Sequence, residues 1–221
     1  MAYLDKRDVA LKTQFGNLAP GFYRNVAKRC FDVGVVMILV LPVGFVVMVL
    51  AVALMLEGAS PFYVQKRIGQ NGRQFNMLKL RSMVRDADRI LANFLADNPA
   101  AKAEWDEKQK LRDDPRITPL GRLIRKTSLD ELPQLWNVLK GDMSLVGPRP
   151  MMPCQKDIYP GKAYYDMRPG ITGLWQVSER NESSFAERAF YDNRYHDDLS
   201  LASDLSILVK TVSVVARATG Q

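Results

Sequence analysis

The chain has 221 residues, with 31 Lys+Arg against 24 Asp+Glu and a formal net charge of +7. Its 47% hydrophobic and 25% charged residues suffice for a core and exclude collagen-like, coiled-coil and wholly disordered classes. The two cysteines, Cys30 and Cys154, make neither a disulfide framework nor a zinc-ligand spacing, and the single histidine, His196, leaves little room for His-rich metal sites or a Ser-His-Asp triad.

In chain order, residues 1–22 are polar and punctuated by Gly and Pro, a tail or weak helix. Residues 23–32 place Val26, Cys30 and Phe31 at helical spacing, as in an interfacial helix. From Val33 to Leu56 run 24 residues without a charge, about 36 Å as a straight helix and enough to span a bilayer. Pro42 sits inside this run, with Gly44 just after it, and an interior proline removes a backbone hydrogen bond and clashes one turn back. The pieces on either side, 33–41 and 43–56, are each too short to cross about 30 Å of hydrocarbon. Both flanks are basic: Arg24, Lys28 and Arg29 precede the run, and Lys66, Arg67, Arg73, Lys79, Arg81, Arg85 and Arg89 follow it. Short basic flanks mark the cytoplasmic side, so a bent helix entering and leaving by one face satisfies both. A kinked straight span reads the same residues equally well, whereas apolar character all round the helix argues against a core helix.

Beyond the run, 61–64 and 74–80 are short strands around the Gly69–Gly72 turn. Ser82 to about Lys110 reads as helix interrupted at Asn98-Pro99, followed by helices over Pro119–Lys126 and Ser128–Lys140, the latter ending on Gly141. A Pro/Gly-rich stretch occupies 147–173, and Ser183–Ala218 alternates turns with helix. No repeat, low-complexity tract or clear linker divides the chain, and the reading is of a mainly helical module resting on a membrane.

Chemistry concentrates in TSLDELP, 127–133, and in GDMSLVGPRP, 141–150. Adjacent carboxylates at a helix start, Asp130 and Glu131, can face a phosphate held by free backbone N–H groups. One can attack phosphorus while its neighbour holds a divalent cation. The same spacing, Ser128 three residues before Glu131, is equally a capping box. GPRP would hold the Arg149 guanidinium still, suiting a pyrophosphate, and Arg168 precedes the constrained Pro169-Gly170 turn; each also reads as a plain surface turn. Lys79 and Arg81 share one face of a strand and can meet phosphates or lipid headgroups, or simply water. Asp192, Tyr195 and Asp204 fall on or near helices, where lone acids are surface residues.

The segments FDVGVVMILVLPV, KLRSM, TSLDELPQLWNVLKGDMSLVGPRP, RPGITGLWQVS and YDNRYHDDLSLASDL together resemble the bacterial sugar transferase family, the monotopic phosphoglycosyl transferases, over residues 25–218. The segment after KLRSM is similar to the ExoY-like branch of undecaprenyl-phosphate galactose phosphotransferases. The resemblance implies an α+β, mainly helical fold. It would be a monotopic membrane protein with an N-terminal re-entrant, Pro-kinked membrane helix, amphipathic interfacial helices and a small cytosolic catalytic domain with a short β-hairpin. Its parts would be a tail, 1–22, an interfacial and re-entrant helix, 23–60, and the transferase domain, 61–221.

The implied reaction moves a hexose 1-phosphate, galactose first and glucose as the alternative, from a UDP-sugar to undecaprenyl phosphate with release of UMP. Asp130 matches the nucleophile that forms a phosphosugar-aspartyl intermediate, and Glu131 the neighbour that binds Mg²⁺, a role Mn²⁺ would also fill. Lys79, Arg81, Arg125, Arg149, Arg168 and Asp192 match substrate-binding positions, and Pro42 matches the proline that breaks the membrane helix. Leu41 stands where the family's usual serine precedes that proline. The implied setting is the cytoplasmic face of the bacterial inner membrane, among membrane lipids. No nucleic acid is expected, because no basic-aromatic surface or reading helix is evident, and a homo-oligomer is left open. A non-catalytic membrane module binding anionic lipid is the competing reading of the basic blocks.

Overall fold

The computed structural model describes residues 20–58, 60–108, 111–178 and 185–216. Most of the expected N-terminal tail therefore lies outside the described residues. One helical turn, Pro20–Phe22, and a π-helical stretch, Tyr23–Ala27, lead into α1, Lys28–Leu56, a single helix with Pro42 inside it. Tyr23–Leu56 is long and apolar enough to cross a membrane, yet only 11% of its most apolar window is buried. Ile38 and Leu41 are 77% and 82% exposed. This is no core helix, and such an apolar surface calls for a cover other than water.

Both ends of α1 are fastened to the rest of the chain. At its start the carboxylate of the fully buried Asp204 accepts from Tyr23 Oη, Lys28 Nζ and Tyr195 Oη, each at 2.6 Å. A buried charge is tolerable only with such donors around it. Asp32 accepts from Ser144 Oγ at 2.7 Å and from the Leu145 amide at 3.1 Å. Arg29 donates to the carbonyls of Val138 and Leu139. At the other end Leu54 packs with Leu80 and Ile124, and Arg81 Nη2 donates to the Leu54 carbonyl at 3.0 Å, 3.7 Å from Glu57 Oε2.

The hairpin forms around the expected turn: β1, Phe62–Ile68, runs antiparallel to β2, Gln74–Leu80, with Phe62 opposite Leu80. β1 extends further than the four residues read from the sequence. Helices α2, Ala87–Asp97, and α3, Pro99–Lys108, part at Asn98, whose side chain donates to the Phe94 carbonyl. α4, Pro119–Lys126, begins where Thr118 Oγ1 accepts from the Gly121 amide at 2.9 Å.

The single helix expected over Ser128–Lys140 is divided into a 3₁₀ turn, Leu129–Glu131, and α5, Gln134–Lys140, with Pro133 at the junction. A proline donates no hydrogen bond, so the turn before it cannot run into α5 as one ladder. Gly141, at φ 89°, ends α5 in the left-handed region.

The Pro/Gly-rich stretch brings a pairing the sequence reading lacked. β3, Ser144–Val146, lies parallel to β4, Gly170–Thr172, with 3₁₀ turns Pro153–Ile158 and Ala163–Asp166 between them. α6, Leu174–Ser178, α7, Arg188–Asp197, and α8, Leu201–Ala216, complete the described chain. The fold is α+β and mainly helical. Its main core joins Val36 of α1, Met77 of β2, Val138 of α5, Val146 of β3, Tyr195 of α7 and Ile207 of α8. The acids expected on the surface are inside: Asp192 is 6% exposed and Asp204 0%, because each meets donors that no local sequence pattern announces.

Candidate active site

Ser128 does not cap a helix. It lies at φ 57°, in the left-handed region, with no side-chain capping bond, so the capping box is not formed. That conformation costs a non-glycine residue about 1–2 kcal/mol, and residues held this way cluster at working sites. The 3₁₀ turn that follows delivers Asp130 and Glu131 to the end of β2. There Lys79 Nζ lies 3.0 Å from Glu131 Oε1 and 3.5 Å from Asp130 Oδ2. Arg149 Nη2 is 3.5 Å from the same Glu131 oxygen. Burial pushes the Asp130 carboxyl above its ordinary value and the neighbouring Glu131 adds to this, while Lys79, Arg125 and Arg149 pull it down. Five of the residues chosen from sequence, Lys79, Arg125, Asp130, Glu131 and Arg149, thus act on one spot.

Arg149 is held there because its segment and RPGITG are one backbone unit. The amide of Ser144 donates to the Pro169 carbonyl, that of Gly170 to Pro148, and that of Gly147 to Thr172, at 2.8–2.9 Å. A Cβ on Gly170 would overlap the backbone nitrogen of Gly147, and one on Gly147 would overlap the Arg168 carbonyl. Glycine is the residue that permits this approach. The structure places two other chosen arginines on backbone carbonyls away from the dyad: Arg168 Nε donates to Gly141 at 3.1 Å, capping α5, and Arg81 caps α1.

Asp192 belongs to an adjoining node. It accepts from Tyr159 Oη at 2.5 Å, and burial raises its carboxyl to about 6 against the opposing effects of Tyr159 and Arg188. Sequence reasoning missed two residues here. Arg67 donates to the Pro150 carbonyl at 3.0 Å, and Arg188 stacks 4.1 Å over Trp175 and 4.7 Å over Phe185. The Nε of each is buried without a hydrogen-bond partner. Burial and the charge of Arg149 lower Arg67 to about 10 and Arg188 to about 9. Guanidiniums that repel one another beside few carboxylates make a place for an anion with several oxygens. Arg67 lay within the basic block 66–89, so its charge was visible although its partners were not; Arg188 stood in no motif.

Among the described residues no cluster of three or more His, Cys, Asp or Glu side chains could hold a metal ion. The Asp130–Glu131 pair still fits a magnesium ion, which is commonly bound by one or two carboxylates together with substrate phosphates.

The bacterial sugar transferase family profile matches residues 23–218. A UDP-galactose-lipid carrier transferase of Erwinia amylovora is 45% identical over 100% of this chain and 46% of its own length. An undecaprenyl-phosphate galactose phosphotransferase of Salmonella typhimurium is 44% identical, again over 100% of this chain and 46% of its own. The exopolysaccharide production protein ExoY of Sinorhizobium fredii is 43% identical over 88% of both chains. The chain spans about half the length of the first two relatives. It belongs to the bacterial sugar transferase family.

Proposed function

We propose that the chain transfers galactose 1-phosphate from UDP-galactose to undecaprenyl phosphate, releasing UMP, as the first membrane step of exopolysaccharide or other glycoconjugate assembly. The observation that carries this reading is the shielded Asp130–Glu131 pair with Lys79 and Arg149 against it. An Asp130 oxygen attacks the donor's β-phosphorus, the bond from that phosphorus to the bridging oxygen breaks, and UMP leaves with the electron pair. A phosphate oxygen of the lipid acceptor then attacks the same phosphorus, the bond to Asp130 breaks, and the carboxylate is restored. Attack requires an ionised Asp130. The cations of Lys79, Arg125 and Arg149 favour that form against burial, and they offset charge on the departing diphosphate. Arg67 and Arg188, whose buried Nε atoms lack partners, take the nucleotide's phosphate oxygens. Magnesium, held by Glu131 with the phosphates, would neutralise further charge on the pyrophosphate.

The acceptor is a membrane lipid, and the same reading places the site at the cytoplasmic face of the bacterial inner membrane, with α1 re-entrant. Asp32 and Leu54, near opposite ends of α1, both contact the catalytic body. Twenty-two residues of straight helix cover about 33 Å, the thickness of the hydrocarbon layer. A perpendicular straight span would set those ends on opposite faces, whereas a helix bent at Pro42 returns both to one.

The test is UMP release by the membrane-embedded protein with undecaprenyl phosphate and Mg²⁺, offered UDP-galactose and UDP-glucose in parallel. Release with UDP-galactose, abolished in Asp130→Asn, is expected. Full transfer by that variant would refute the covalent route, and release with UDP-glucose alone would move the donor assignment.

A further inference from the structure

A cleft of about 190 Å³ opens beside the dyad, between the 3₁₀ turn, α5, β4, α6 and α8. Its walls are largely aliphatic, from Leu132, Leu135, Ile171, Val177, Val214 and Val215, and Glu131 stands at its polar end. Thr211 Oγ1 is 2.7 Å from Thr172 Oγ1 and donates to the Ile207 carbonyl, so these two wall hydroxyls are partnered, while Ser128 and Gln176 complete the lining. Thr211, Val214 and Val215 line it at i, i+3 and i+4 along one face of α8, while Val209 and Val212 of the same helix are 61% and 70% exposed. An aliphatic cavity therefore adjoins a carboxylate pair ringed by Lys79, Arg125 and Arg149. A molecule complementary to both carries an anionic head joined directly to a flexible hydrocarbon. A sugar nucleotide has no such tail.

We infer that this cleft receives the first isoprene units of the polyprenyl phosphate acceptor, setting its phosphate at the Asp130–Lys79 end. The inference rests on the transferase reading above. An aliphatic cavity of about 150 Å³ binds one benzene ring, so the space matches one five-carbon unit with the beginning of the next. The distal tail leaves past Val215 toward the exposed valines of α8 and the surrounding lipid. Selection of the acceptor thereby depends on branched carbon close to the phosphate, and only weakly on total chain length.

Two readouts test this. In the first, Val214→Trp fills the cleft from the partly exposed face of α8. It is expected to raise KM for both farnesyl phosphate and undecaprenyl phosphate roughly tenfold, leaving unchanged KM for UDP-galactose and the single-turnover release of UMP without acceptor. In the second, unmodified protein is irradiated with a farnesyl phosphate bearing a diazirine on its first or second isoprene unit. Label is expected on peptides containing Leu135 or Val214. Unchanged acceptor KM in the variant, or label confined to α1, overturns the assignment. A wild-type protein that releases no UMP with or without acceptor overturns the transferase reading and the cleft assignment with it.

Discussion

Asp192→Asn removes a carboxyl that the fold holds in its uncharged form more readily than water would. Moving it from the ordinary 3.8 to about 6 costs the folded, ionised protein about 3 kcal/mol. Because the folded value lies above the unfolded one, the group's stabilising contribution is complete below pH 3.8 and is lost as pH rises through about 6. Asparagine keeps an oxygen that can accept from Tyr159 and never ionises. The variant should therefore match the wild type near pH 4 and exceed it above pH 7. At about 2–4 °C per kcal/mol for a chain of this size, the gain in Tm approaches about 6–12 °C. Thermal unfolding of both proteins in one detergent, from pH 4 to 8.5, reads the difference directly. A variant that melts lower at pH 8, or by the same margin at every pH, would refute the argument: Arg188 would then be holding Asp192 as a net stabilising ion pair. Transfer activity is expected to fall in the same variant, since Arg188 loses its balancing charge beside Arg67 and Arg149.

Two further perturbations address the dyad and its support. Lys79→Met removes the cation nearest both carboxylates; kcat should fall about 10²-fold, and the acid limb of the kcat/KM profile should move to higher pH as Asp130 becomes harder to ionise, whereas an unmoved limb would show that Lys79 does not set that ionisation. Gly170→Ala forces a Cβ into the Gly147 backbone, at a cost of about 1–3 kcal/mol, so it should lower Tm by several degrees, and wild-type melting would show that the two segments separate freely.

The hairpin, the break at Asn98-Pro99 and the helix over Pro119–Lys126 were legible because each is set by neighbours in sequence: a Gly turn, a proline, a run of apolar spacing. The dyad was legible for the same reason, being two adjacent acids in one short motif. What the sequence could not display depended on distant partners. Asp130 and Ser128 looked like the opening of one helix, and only Pro133 together with the left-handed Ser128 turns that opening into a separate strained turn. Arg81 and Lys79 looked equivalent on one strand, yet one reaches the dyad and the other the Leu54 carbonyl. The pairing of β3 with β4 spans residues 144–172 with three residues a side, too short for periodicity to reveal. Arg67 and Arg188 acquire meaning only where tertiary folding crowds them beside Arg149.

Asp204 gives the chain a timetable as well as an anchor. Its partners Tyr23 and Lys28 are made 181 and 176 residues earlier. At about 5–20 residues per second they wait roughly 10–35 s for their acceptor during synthesis. In that interval the apolar helix has emerged but its start has no carboxylate to hold it, and Arg29 and Asp32 gain their own partners only as α5 and β3 follow. The far end of α1 is served first, since Leu80 follows Leu54 closely in the chain, and the Tyr23 end is closed last, when α8 brings Asp204.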